Sequence, residues 1–138
     1  MPAGRRLRPA ERVRLGCEIV RAYGHARREL RRTSITAAVA ALRARPPVLP
    51  ATAASGGLSE ARRLGRAVAR TLALLPGDTR CLTRSLVLTR LMARRGIAGT
   101  LVIGARAAPE FAAHAWVEHE GHAVLAQGDG SFARLVEL

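Results

Sequence analysis

The sequence has very little of several residue types that catalytic and binding sites commonly use. It has no lysine, no asparagine, a single glutamine and only two aspartates among 138 residues. Its two cysteines, Cys17 and Cys81, fit neither the spacing of a zinc site nor a disulfide framework, so we expect free thiols in a reducing compartment. A site that requires aspartate can draw only on Asp78 and Asp129.

Long apolar segments are also missing. No stretch approaches the ~18 consecutive apolar residues that indicate a transmembrane helix. The N-terminal segment MPAGRRLRPAERVRL is basic, and it lacks the apolar core and the small-residue cleavage site of a secretory signal. These absences predict a cytoplasmic protein that does not contact a membrane, and the chain length suits one compact domain.

The charge is strongly one-sided. The 23 basic residues are all arginine, and against 10 acidic residues they give a net charge of +13. Coding bias in a GC-rich genome explains the choice of arginine over lysine, but the charge itself favours an anionic partner, either nucleic acid or an acidic protein surface. Aromatic residues that could stack on nucleic-acid bases are scarce, and no nucleic-acid recognition motif is present. Nucleic-acid binding is therefore the weaker interpretation.

The first half of the chain has the apolar spacing of helices. We predict a helix over residues 9–31, which Gly24 divides, and a second helix capped by Thr33 or Ser34. The prolines and paired glycines of residues 46–57 predict a linker.

Two further helices are predicted before the period of the sequence changes. The clearest helix covers residues 60–75 with Ser59 as its cap. The next covers residues 80–95, with Asp78 or Thr79 as its cap, and a glycine at position 96 ends it.

After this helix the pattern is typical of strands. Residues 99–105 form a short apolar run, residues 112–120 alternate, and residues 122–126 return as a hairpin partner after a tight turn at Gly121. A last short strand ends the chain. Helices followed by an antiparallel sheet define an α+β domain. The alternation places one set of side chains on a single face of its strand: His114, Trp116 and Glu118.

Cys81 lies in the first turn of a predicted helix. Unpaired backbone N–H groups and the helix dipole stabilise a thiolate at that position, and Arg80 and Arg84 add positive charge. The residue is therefore a candidate nucleophile, although the spacing alone is equally compatible with a buried cysteine that packs like a small apolar side chain. Cys17 lies on the apolar stripe of the first helix and is predicted to be structural.

His114 lies on a strand between two alanines, so it is either a catalytic base or a satisfied core histidine. His25, His119 and His122 are predicted to be exposed and without a role. A zinc site built from His114, His119 and His122 is disfavoured, because the alternation places His119 on the opposite face of the strand from His114.

The segment CLTRSLVLTRLMARRGIAGTLVIGA followed by AHAWVEHEG resembles the leader peptidases of lasso-peptide biosynthesis, which belong to the transglutaminase-like superfamily. The resemblance covers residues 58–138 and implies a catalytic core of the transglutaminase-like or papain-like cysteine peptidase fold. Residues 1–57 would be a helical lead-in with a Pro/Gly-rich linker. By resemblance, Cys81 is the nucleophile and His114 its base. The backbone N–H of Cys81 is one plausible oxyanion donor, and the second donor is not identified.

The third catalytic residue departs from the family pattern. The aspartate of the family aligns without gaps at Ala126, and Asp129 follows three residues later. A shifted loop could let Asp129 orient the His114 imidazole, with Gln127 as the fallback, or Asp129 could simply be a turn residue in Gly-Asp-Gly. Asp78 is better explained as a helix cap.

The resemblance implies hydrolysis of one peptide bond in a lasso-peptide precursor through a thioester on Cys81. No metal, nucleotide or other cofactor is expected. Since 138 residues leave no room for a fused recognition domain, we expect a separate small leader-binding protein to present the precursor. An ATP-dependent macrolactam synthetase would act next, and the arginines would dock an acidic leader or partner. An acyltransferase or cross-linking transglutaminase that uses the same Cys–His pair is the enzymatic alternative, and a basic nucleic-acid-binding protein is the other.

Overall fold

The computed structural model describes residues 6–44, 57–76, 81–125 and 130–138. In these ranges four helices precede four strands, which confirms the predicted α+β class with the helices first. The helices are α1 (Pro9–Arg32), α2 (Ile35–Arg43), α3 (Gly57–Ala73) and α4 (Cys81–Arg94). The strands are β1 (Thr100–Arg106), β2 (Ala112–His119), β3 (His122–Ala123) and β4 (Ala133–Glu137).

Helix α1 runs without interruption through Gly24, so the predicted division is wrong. A glycine in an exposed helix interior costs about 1 kcal/mol relative to alanine. Tyr23 and Ala26, on either side of Gly24 along the helix, are both buried. Their packing offsets the cost of the glycine and keeps the helix continuous.

The core-facing side of α1 also differs from the prediction. Cys17 is exposed, and Val13 is 66% exposed, so this stripe faces solvent and the structural role predicted for Cys17 is wrong. Two interleaved apolar sets both have helical spacing, and only contact with the other helices decides which set is buried. The buried residues of α1 are Leu15, Ile19, Ala22, Tyr23 and Ala26.

Helix α3 begins earlier than predicted. Ser34 caps α2 as expected, since its Oγ accepts a hydrogen bond of 3.3 Å from the Ala37 N–H. Helix α3 starts at Gly57, so Ser59 lies inside its first turn and is not the cap. A Cβ at Gly57 would come within 2.9 Å of the His119 Nε2 atom. The glycine therefore lets the start of α3 lie directly against β2.

Helix α4 is the central element, because it packs on the other three helices and on the sheet. It ends in a Schellman motif, in which the Ile97 N–H donates to the Met92 carbonyl and the Gly96 N–H to the Ala93 carbonyl. Gly96 has a φ of 66°, which confirms the predicted helix end at this glycine. One hydrophobic cluster joins residues of all four helices with residues of β1 and β2.

The strands form one antiparallel sheet in the order β3-β2-β1-β4. Glu120 and Gly121, with φ of 49° and 78°, form the tight turn between β2 and β3 that the sequence predicted. Strand β3 is shorter than predicted, although the Val124 N–H still donates to the Val117 carbonyl at 2.8 Å. Within these residue ranges, no helix has both the length and the hydropathy needed to cross a bilayer.

Candidate active site

Cys81 is the first residue of α4, and it is partly buried against the hydrophobic core. The N–H groups of a first helical turn have no partner within the helix, so they remain available for an anionic or polarised oxygen. The structure thus places the thiol where the sequence predicted, at the start of a helix.

Two polar side chains lie one turn further along α4, on the same side as Cys81. Arg84 and Ser85 are three and four residues beyond the cysteine, which is the spacing of one helix face. Among the described residues, the Arg84 Nε and the Ser85 Oγ are buried without a hydrogen-bond partner. Buried unpaired groups cost free energy, and in a site they can bind a polar group of a ligand. From the sequence, Arg84 is predicted only as a positive charge and Ser85 is not predicted at all, although the Cys-x-x-Arg-Ser spacing could have indicated it.

His114 is the third residue of β2, and its ring lies in an aromatic cluster. Its centroid is 6.0 Å from that of Trp116, with the planes 23° apart, and 5.3 Å from that of Phe132. The Trp116 indole N–H donates to the Glu118 carboxylate at 2.9 Å. The predicted alignment of His114, Trp116 and Glu118 on one face of the strand is therefore confirmed.

Charged groups hold this aromatic cluster in place. The buried Glu118 carboxylate also accepts a hydrogen bond of 2.5 Å from the Arg134 guanidinium. Hydrogen bonds to Glu137 and then to Glu118 raise the pKa of Arg134 above its ordinary value. The Arg106 Cζ lies 5.1 Å from the centre of the Phe132 ring, a cation–π distance. The sequence does not predict that Phe132 and Arg134 belong to this cluster, since they join it only through the register of β4 with β1.

His119 is buried, so the predicted exposure is wrong for this residue. Its Nδ1 lies 2.6 Å from the Ala98 carbonyl oxygen, and its Nε2 faces Gly57. Because a carbonyl oxygen only accepts, the Nδ1 must carry the proton. The ring lies on the opposite face from His114, as the alternation predicted, and it joins β2 to the segment before β1. His122 is exposed, as predicted.

Chain geometry brings Cys81 and His114 to the same end of the helix–sheet layer. Gly99, just before β1, lies against Met92 near the end of α4 and against Val117 in the second half of β2. Strand β1 then runs back for about 20 Å, the length of α4. Since β2 pairs antiparallel with β1, its first residues return to the end of the layer where α4 begins. The His114 ring lies on the face of β2 opposite to Ala115 and Val117, which pack with the residues of α4. The contact between the thiol and the imidazole therefore stays a prediction.

The remaining predicted site residues lie outside the described ranges. These are Asp78, which precedes α4 in the sequence, and Ala126, Gln127 and Asp129, which lie between β3 and β4 in the sequence. The identity of the third catalytic residue therefore stays a prediction. Among the described residues, no group of three or more His, Cys, Asp and Glu side chains could hold a metal ion.

A cysteine at the start of a helix, packed against an antiparallel sheet that carries a histidine later in the chain, is the plan of papain-like and transglutaminase-like proteins. The family model of the transglutaminase-like superfamily matches residues 6–137, and the chain belongs to that superfamily. The superfamily generally contains cysteine peptidases and acyltransferases. The match includes α1 and α2, so it extends beyond residues 58–138. Searches of curated proteins and of solved structures gave no match.

Proposed function

We propose that this protein is a cysteine peptidase that removes the leader from a lasso-peptide precursor. The observation that carries the proposal is the position of Cys81, at the start of the buried central helix of a transglutaminase-like domain. The resemblance of residues 58–138 to lasso-peptide leader peptidases supplies the substrate class. The same resemblance supplies His114 as the base, and the pairing of β2 with β1 returns His114 to the end of the layer where α4 begins.

The chemical steps use groups of this chain and one water molecule. The His114 imidazole takes the proton of the Cys81 thiol, and the sulfur attacks the scissile carbonyl carbon. The backbone N–H of Cys81 donates to the oxyanion that forms. His114 then protonates the leaving amine, which frees the core peptide and leaves the leader as a thioester on Cys81. Water hydrolyses the thioester with His114 as general base, and Asp129 or Gln127 holds the imidazole in orientation.

The proposal includes partners. A separate small leader-binding protein presents the precursor, and an ATP-dependent macrolactam synthetase in the same cytoplasmic compartment closes the ring on the freed core. The resemblance supports both partners. We expect the purified chain without the leader-binding protein to cleave poorly or not at all.

The test is reconstitution with purified precursor, leader-binding protein and this chain, followed by intact-mass spectrometry. We expect a free leader acid, a free core peptide and an acyl adduct on Cys81 when the reaction is quenched in acid. Adding a primary amine distinguishes hydrolysis from acyl transfer, since an acyltransferase would yield mainly the leader amide. A precursor that stays intact with all components present would contradict the proposal. Full-rate cleavage by the chain alone would show that no leader-binding protein is required.

A further inference from the structure

A groove of about 850 Å³ lies between α1 and α3. Its floor is apolar and includes Leu7, Leu15 and Ala67. Gly16 lies at its wall, and a Cβ built there meets no atom within 4 Å. The groove therefore has both an apolar base and free space above it, which are the properties of a site for a polypeptide segment.

The rim of the groove is mainly basic, with four arginines against the two acidic residues Glu11 and Glu60. Arg12 lines it from α1, and Arg63, Arg66 and Arg70 line it from α3. Arg63 forms an ion pair with Glu60, whose hydrogen bond raises the pKa of the guanidinium. The other three arginines have no ion-pair partner in the part of the chain that the structure describes. An excess of guanidinium groups above an apolar floor is complementary to a segment that carries both carboxylates and apolar side chains.

The groove leads toward the end of the molecule that carries Cys81. Arg95, just after α4, lies 3.9 Å from Glu60 near the start of α3, so α3 and α4 run antiparallel. The Thr71 end of the groove therefore lies toward the start of α4. From Glu60 to Thr71, α3 spans about 17 Å, which accommodates about three helical turns or five extended residues.

We propose that this groove binds an acidic, amphipathic segment of the leader of the peptide substrate. The inference rests on the proposed function for the identity of the ligand, and on the groove itself for its chemistry. Among the residues that the structure describes, no aromatic side chain lines the groove, so these residues offer no stacking surface of the kind that single-stranded nucleic acid uses. An acidic leader held here is fixed at a distance from the scissile bond, so its binding energy positions that bond at Cys81.

The test measures binding apart from chemistry, in the full chain with Cys81→Ala. The probe is a fluorescein-labelled peptide of about 12 residues, which fills the groove as a helix, with glutamates and leucines at helical spacing. Fluorescence anisotropy gives its Kd. The comparison probes are the same peptide with lysine in place of each glutamate and a single-stranded oligonucleotide of similar charge.

Two pairs of variants make the test specific. Arg12→Glu, Arg66→Glu and Arg70→Glu together should weaken peptide binding by about tenfold or more. The matched control combines three substitutions at exposed positions of α1 and makes the same change of charge: Arg14→Glu, Arg21→Glu and Arg28→Glu. It should weaken binding by less than about threefold.

The second pair fills space without a change of charge. Gly16→Trp should obstruct the groove and weaken binding by about tenfold, because the position opens into free space where a side chain is accommodated. Gly24→Trp, at an equally open position of α1 outside this groove, should leave the Kd unchanged.

Each outcome decides the inference. Equal losses of affinity in the two arginine triple variants would mean that only net charge matters. An unchanged Kd for Gly16→Trp would mean that the peptide binds elsewhere. Either result would contradict the proposal that this groove binds the leader. Groove-dependent binding of the oligonucleotide but not of the peptide would assign the site to nucleic acid. If the peptide binds in the groove but the precursor stays intact in the reconstituted reaction, the proposed function is wrong. The groove would then still be a binding site for an acidic peptide.

Discussion

The two faces of the small sheet have opposite chemistry. The face that packs on α4 is apolar, and Leu101, Ala115 and Val117 join it to the hydrophobic core of the helices. The other face carries His114 and Trp116, with the buried Glu118 hydrogen-bonded to the Trp116 indole. Strand β2 thus divides its alternate side chains between a packing role and a polar, aromatic one.

This difference separates stability from chemistry within a single strand. Apolar contacts are non-directional, so the helix-facing side tolerates exchange of similar volumes. The other face depends on ring stacking and charge-assisted hydrogen bonds, which require particular atoms at particular distances. Substitutions on the helix-facing side should therefore change mainly stability. Substitutions at the nucleophile or on the polar face should change turnover more than stability.

Replacing the two cysteines gives the largest contrast. Cys81→Ala should reduce leader removal by about a thousandfold or more, because the thioester cannot form. Cys17→Ala should leave turnover unchanged, since Cys17 is exposed on α1. The measurement is precursor cleavage by mass spectrometry at equal protein concentration. Normal cleavage by the Cys81→Ala protein would refute the mechanism.

The two histidines of β2 test the faces directly. His114→Ala should lower turnover by about a hundredfold or more with little change in melting temperature. His119→Ala should do the reverse and destabilise the fold by about 1–3 kcal/mol, since it removes a buried ring that hydrogen-bonds to the Ala98 carbonyl. Thermal denaturation and turnover are measured for both variants. Loss of turnover in a fully stable His119→Ala protein would show that the faces do not divide these roles.

The asymmetry also explains how much of the fold could be predicted from the sequence. The order of elements, the end of α4 at Gly96 and the face of His114 follow from local rules, namely helical spacing, glycine conformation and strand alternation. The buried side of α1 and the burial of His119 do not, because each depends on contacts with distant segments. Two apolar stripes of α1 have the same helical spacing, so the sequence does not show which one is buried. His119 is buried because its ring packs against Gly57 at the start of α3, which is distant in sequence.

Some residues of the candidate site could likewise be predicted from the sequence and others could not. Cys81 and His114 carry recognisable motifs, so the sequence identifies both. Phe132 and Arg134 reach the aromatic cluster only through the pairing of β4 with β1, where the register shifts between Ile103 and Gly104. Such a shift has no signature in a single sequence, and these two residues were accordingly missed.

Substitution of the two aspartates tests whether Asp129 orients the His114 imidazole and whether Asp78 is a helix cap. Asp129→Ala should reduce turnover by about ten- to a hundredfold, equivalent to about 1–3 kcal/mol of transition-state stabilisation, if its carboxylate orients His114. Asp78→Ala should act mainly on stability, by about 1 kcal/mol, as a lost helix cap. Turnover and melting temperature are compared for both variants. Unchanged turnover for Asp129→Ala would indicate either a Cys–His dyad or that Gln127 or a backbone carbonyl orients the His114 imidazole.

The smallest expected effect comes from adding one methyl group to the polar face at Gly104. A Cβ there would lie 2.9 Å from two carbon atoms of the Trp116 ring and 3.0 Å from the Ala133 carbonyl oxygen. The backbone oxygen of a paired strand moves little, so the indole must shift, and with it the ring stacked on His114. Gly104→Ala should therefore destabilise the fold by about 1–2 kcal/mol and lower turnover a few-fold.

The matched control is Gly24→Ala, which adds the same methyl group to an open position of α1. It should stabilise the protein by about 0.5–1 kcal/mol, because alanine replaces glycine in a helix interior. Thermal denaturation and turnover are measured on both variants, with Trp116, the only tryptophan, as the fluorescence probe of indole displacement. If Gly104→Ala shifts the Trp116 emission and lowers turnover together, the indole positions the His114 ring. An emission shift with unchanged turnover would show that the aromatic cluster stabilises the sheet without orienting the base.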